Sequence, residues 1–210
     1  MSTPATAERD ALCDLFLEVG PGAPTLCGTW TTRDLAAHLV VRERRPDAAT
    51  GILIPPLASY GERVREGEGR REWADLVARV RSGPPIWNPT RIDAIERIAN
   101  TVEFFVHHED VRRARDGWEP RELDPALEAD LSAALRRMAK LLVRKAPGGL
   151  VLMPTGEAAI TAKSGEPHVD VSGPVGELVL FVYGRQAVAN VGLVGPDDLV
   201  AAMRDARFGV

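Results

Sequence analysis

At Pro147-Gly148-Gly149 the pattern of the sequence changes, and this change limits the chain to a small set of folds. Before it, apolar residues recur at helical spacing; after it they come in short runs separated by turn residues. Helices gathered in one part of a chain and strands in another predict an α+β protein, not an alternating α/β one. With 210 residues, 45% of them hydrophobic, there is material for one sizeable core or two small ones. The reading is a helical bundle over residues 1–146 and a small α+β domain over 150–210.

The helical part divides at its turn signals. Thr6 to Val19 places Leu12, Leu15, Phe16 and Val19 on one face and stops at Gly20-Pro21-Gly22. Thr31 caps a second helix that runs towards Arg45, with Asp34 three residues on like the acid of a capping box. Pro46 and Gly51 to Pro56 interrupt the period, and Tyr60 to Arg81 is helical again, with Gly67 and Gly69 weakening its first half. The strongest pattern is Thr90 to Arg115, and a fourth long helix runs from Pro125 to Lys145. These make an antiparallel helical bundle. Beyond residue 149, Leu150–Met153, Ala158–Ala162, His168–Ser172 and Ala189–Val194 read as strands, with helices at Gly176–Gln186 and Pro196–Arg204.

Charge and composition exclude several functions. Lys+Arg 26 against Asp+Glu 30 leaves a formal charge of −4, so no basic excess is available for nucleic acid or anionic lipid. No apolar run reaches the ~18 residues that span a bilayer, and the first ten residues do not look like a signal peptide, so a cytoplasmic protein is expected. Cys13 and Cys27 form no CxxC pair and are expected as free, mostly buried thiols. Walker A, dinucleotide and nucleophile-elbow patterns are absent.

The histidines carry the chemistry. Glu103 and His107, four apart in the strongest helix, point about 40° apart around its axis and can chelate one divalent cation. His38 borders the apolar stripe of the second helix and can face them across the bundle. Two His and one Glu is a set used by catalytic zinc with an open fourth position. The alternative is an ordinary helix pair beside a hydrogen-bonded core histidine, although a carboxylate set within Val102-Glu-Phe-Phe-Val-His107 is costly to bury unless neutralised. Asp110, one turn on, is a candidate acceptor for an imidazole N–H, or a general base. His108 turns about 100° away from His107, towards the surface or a cleft rim. His168 has no assigned role.

The string Thr29-Trp-Thr-Thr-Arg-Asp-Leu-Ala-Ala-His38-Leu, followed by Glu103-Phe-Phe-Val-His107 and Asp110, resembles the mycothiol-dependent maleylpyruvate isomerase superfamily. Val41 to Ala49 looks most like an actinobacterial metal-binding branch of it, distinct from the isomerases proper. The resemblance implies a DinB-like metal-binding four-helix bundle with zinc on His38, Glu103 and His107; nickel or iron would accept the same donors. Val171 to Arg185 is similar to the superfamily's small C-terminal domain, which implies that Arg185 orients an anionic group through its planar fork; a helix-capping role is the alternative. The implied function is a thiol transferase or isomerase that takes mycothiol as cosubstrate and a small electrophile as substrate. A zinc-dependent hydrolase with Asp110 as base, and a non-catalytic metal-stabilised scaffold or small-ligand sensor, are the alternatives.

Overall fold

In the computed structural model, residues 3–49, 58–85 and 94–209 are described, and they form two compact units, Met1–Trp118 and Glu119–Val210. The first holds α1 (Pro4–Val19), α2 (Thr32–Arg44), α3 (Pro46–Ala49), α4 (Ala58–Gly69), α5 (Trp73–Arg81) and α6 (Ala94–Arg112). The second holds α7 (Pro125–Leu142), β1 (Gly149–Pro154), β2 (Ile160–Lys163), β3 (His168–Gly173), α8 (Val175–Val182), β4 (Gly192–Val194) and α9 (Asp197–Asp205). The α+β class expected from the sequence is present. The expected break at Gly51 to Pro56, and Asn88 to Ile92 ahead of α6, lie outside the described residues.

The ends of α1 and α2 follow from local chemistry. Thr3 caps α1 by accepting from the Thr6 amide at 3.2 Å, with Pro4 in the first turn. At the other end Gly20, at φ 79°, turns the chain out and donates to the Phe16 carbonyl. The capping box of α2 is formed: the Asp34 carboxylate accepts from the Thr31 amide at 2.9 Å and from its hydroxyl at 2.8 Å. The helix expected over 60–81 is two helices, because the chain turns after Gly69 and restarts where the Glu72 side chain accepts from the Ala74 amide.

α1 packs on α5 and α6, and α2 packs on α4 and α5. Their shared core includes Leu12, Phe16, Leu35, Leu39, Leu76, Val80 and Phe104, all buried. Each such side chain contributes about 1.5–3 kcal/mol by leaving water. The segment between α1 and α2 is pinned from both sides. The Leu26 amide donates to the Asp110 carbonyl at 3.0 Å, and the Thr25 hydroxyl donates to the Trp30 carbonyl at 2.8 Å. Cys27 and Trp30 are thereby held beside the C-terminal half of α6.

The compact units divide at Trp118/Glu119, not at residue 147. α7, expected as the last helix of the bundle within 1–146, lies in the second unit, where it packs on α8 and β2 and buries Leu127, Leu131, Leu135 and Leu142. The sheet order is β2-β1-β3-β4, with β1 parallel to β3 and the outer pairs antiparallel. α8 is buried along its whole length, as its continuous apolar run requires. Gly149 starts β1 where the Gly165 backbone crosses: a Cβ there would stand 2.1 Å from the Gly165 carbonyl oxygen and 2.7 Å from the His168 Cβ. Gly149→Ala is therefore expected to lower stability by about 1–3 kcal/mol in urea unfolding, and an unchanged midpoint would contradict the overlap. Among the described residues no helix is long and apolar enough to cross a membrane.

Candidate metal centre

α2 and α6 bring together the three side chains singled out in the sequence. His38 Nε2 lies 3.3 Å from Glu103 Oε1, and His107 Nε2 lies 3.3 Å from the same oxygen. The two imidazole rings stand 5.5 Å apart at 76° to one another. His38 is also held by the Trp30 ring, 5.3 Å away. One donor atom from each of the three residues falls within 4.8 Å of the other two.

That spacing suits a metal ion. Zinc bonds of 2.0–2.1 Å to nitrogen and oxygen place neighbouring donors of a tetrahedral site about 3.4 Å apart, close to both 3.3 Å separations. A second trio, Cys27, His107 and Asp110, is also compact. Its distances have a different meaning. His107 Nδ1 lies 2.9 Å from Asp110 Oδ2, and the Cys27 thiol donates to that oxygen at 3.1 Å. Those are hydrogen-bond lengths, too short for donors spread around one ion. Asp110 thus accepts from one edge of the imidazole and leaves Nε2 on the other edge to face His38 and Glu103.

The electrostatics of the trio agree with this geometry. Burial disfavours the Glu103 carboxylate, but hydrogen bonds from His107 and His38 outweigh it and hold the group well below the usual carboxylate range. Burial alone would lower His107, but its hydrogen bonds with Asp110, Cys27 and Glu103 raise it well above the ordinary histidine value. His38 is lowered, chiefly by burial. Arg42, one turn after His38, brings its Nε to 3.3 Å from the same Glu103 Oε1.

The other sequence candidates are placed elsewhere. Asp110 is fully buried on the Nδ1 side of His107, a place for an orienting acceptor and not for a base working beside the Nε2 atoms. His108, expected at the surface or a rim, is buried because Glu8 of α1 meets its Nδ1 at 3.0 Å. Arg185 lies in the second unit just beyond α8, where its guanidinium donates to the Tyr183 carbonyl at 2.5 Å, as basic side chains do at helix C-termini. His168 sits exposed on β3 between Glu166 and Asp170. Cys13 is buried, and burial pushes its thiol up to about 12. Cys27 is the participant that sequence reasoning missed: 83 residues separate it from Asp110, and no linear pattern connects them.

Asp110→Asn keeps an acceptor oxygen and removes the charge behind His107. Zinc affinity, measured by chelator competition, is expected to fall about 10–100-fold with the fold retained, and an unchanged affinity would remove Asp110 from the centre.

No family model matches the chain, and no curated protein matches it. Solved structures do. A crystal structure of the mycothiol-dependent maleylpyruvate isomerase is 16% identical at a TM-score of 0.57, covering 92% of this chain and 95% of that one. A crystal structure of a histidine-to-alanine mutant of that isomerase gives the same identity and coverage at a TM-score of 0.58. The chain has the fold of the mycothiol-dependent maleylpyruvate isomerase.

Proposed function

We propose that this protein is a zinc-dependent thiol transferase or isomerase, with a DinB-like metal-binding helical domain, that joins a small thiol such as mycothiol to a small electrophile. The observation that carries the reading is the spacing of His38 Nε2 and His107 Nε2 around Glu103 Oε1, which matches the edges of a tetrahedral site. The fold shared with a mycothiol-dependent isomerase supports the choice of a thiol over other ligands. Zinc held there would lower the pKa of a thiol that reaches the open position, so that sulfur is nucleophilic at neutral pH.

The chain's own residues do the rest. Asp110 fixes His107 through Nδ1, and the Cys27 thiol, donating to the same carboxylate oxygen, holds Asp110 in turn. Trp30 packs against the His38 ring and limits its rotation. The resemblance assigns Arg185 to orienting an anion; its guanidinium is engaged at the end of α8, and this reading routes no step through it. The hydrolytic alternative needs a base beside the Nε2 atoms, and Asp110 stands at the opposite edge of the ring.

Calorimetry of zinc-loaded protein with mycothiol, or with a surrogate thiol, tests the proposal. Saturable binding that disappears on removal of zinc is expected. Thermal stabilisation by zinc, with no thiol raising the melting temperature further, would instead identify a structural ion.

A further inference from the structure

The two histidines of the centre are held by different means. His107 has Asp110 behind it, 2.9 Å from Nδ1. His38 meets Glu103 through Nε2, and among the described residues its Nδ1 has no hydrogen-bond partner. A metal-ligating histidine almost always donates its other ring N–H to an acceptor that sets the plane of the ring. For His38 packing must set that plane, and its aromatic neighbour outside the trio is Trp30, 5.3 Å away and tilted by 47°.

Trp30 is in turn held by α4. Its backbone is fixed, since its carbonyl accepts from the Thr25 hydroxyl and its amide donates to the Cys27 carbonyl at 3.3 Å. Its ring lies under the Arg65 guanidinium, whose carbon stands 4.9 Å from the ring centroid. The Arg65 side chain is only 10% exposed, and the donors in its plane are committed. Nη1 donates to Asp34 Oδ1 at 2.5 Å, Nε to Glu62 Oε2 at 3.0 Å, and Nη2 to Glu62 Oε1. Two carboxylates balance its charge, and what remains is the flat face of the fork, which Trp30 takes. Arg65 therefore has two routes to the centre, through the Asp34 cap of α2 and through the Trp30 ring. The cap sets where α2 begins, and His38 lies beyond that first turn; the ring touches His38 itself.

We infer that Arg65 is a positioning residue of the metal centre: its guanidinium fixes the Trp30 ring, and that ring fixes the plane of the His38 imidazole. This rests on the zinc reading above and extends the centre to a helix, α4, from which no member of the trio comes.

The test is a two-residue cycle on full-length protein, read by zinc affinity in chelator competition and by the visible ligand-field bands of cobalt-loaded protein at saturation. Arg65→Met keeps the apolar stem and removes the guanidinium; Trp30→Leu removes the ring. Each single variant is expected to bind zinc about tenfold more weakly, the lower end for residues that orient a metal ligand, and to shift the cobalt bands. The double variant should bind within about twofold of Trp30→Leu alone, because Arg65 then has no ring to act through. A role confined to the Asp34 cap would instead give the same loss from Arg65→Met in both backgrounds and leave the cobalt bands in place. Arg65→Lys keeps a charge between Asp34 and Glu62 but lacks the flat face, so it should also weaken zinc binding, and it takes the place of Arg65→Met if that variant does not fold. Should Trp30→Leu not fold, the cobalt bands of the Arg65 variants decide alone. Wild-type affinity and bands in the Arg65 variants, or losses that multiply in the double variant, overturn the inference and leave the zinc reading standing. A wild type that binds neither zinc nor cobalt overturns both.

Discussion

Glu103→Ala is expected to empty the centre. Wild-type protein purified without a histidine tag should carry about one zinc per chain by mass spectrometry, and the variant close to none. Glu103 is the residue to remove because its Oε1 is the corner shared by both imidazoles. Without it, two histidines on two helices are left with no anionic donor between them. The side chain is part-exposed, so the substitution opens no core cavity and far-UV circular dichroism should not change. The loss should therefore exceed the ~10–100-fold expected for an outer residue such as Asp110. Zinc also competes with the proton that His107 holds when its pKa is raised. Loading of the wild type should accordingly strengthen from pH 6 to pH 8, and a chelator titration across that range measures it. A wild type that stays empty when zinc is offered would return the three residues to an ordinary hydrogen-bonded cluster.

What could be read from the sequence was whatever depends on neighbours along the chain. The box of Thr31 and Asp34 and the pairing of Glu103 with His107 are set by spacings of three and four residues, and both are present. Which elements pack together depends on shape across the fold. The apolar stripe of α7 announces a buried face, but Leu131 and Leu135 say nothing about what covers it, and the stripe lies with α8 and β2 in the second unit. The same limit hid the partner of His108, since Glu8 comes from another helix 100 residues away. Cys27 reaches Asp110 only because the loop before α2 is tied to the end of α6 by the Leu26 amide. His38 was intermediate: its helix and face allowed a place opposite Glu103, and the family resemblance favoured that place over an ordinary core histidine.

The buried pair of Arg9 and Glu43 should produce the largest stability effect in the first unit. Arg9 of α1 holds both Glu43 oxygens, donates to the Val80 carbonyl of α5 at 2.8 Å, and lies 4.1 Å from the Phe104 ring centroid of α6. One side chain thus ties four helices together. Arg9→Met alone takes the guanidinium fork away from the buried Glu43 carboxylate, and Glu43→Leu alone takes the carboxylate away from the buried guanidinium; each is expected to cost about 3–5 kcal/mol in urea unfolding. The double variant removes both charges. The Val80 carbonyl keeps a partner there, because the Gly83 amide also donates to it at 3.1 Å. Two apolar side chains of similar volume should then fill the space, and the double variant should fall within about 1 kcal/mol of wild type or exceed its stability. The cycle should give a coupling far above the ~0.5 kcal/mol that separates additive from coupled sites. Single variants costing less than about 1 kcal/mol would mean that water reaches the pair and that it acts as a surface ion pair. Zinc content should stay the same in the double variant, because Glu43 and His38 share α2 but use different faces of it: the pair holds the helix in place, and the histidine uses that position.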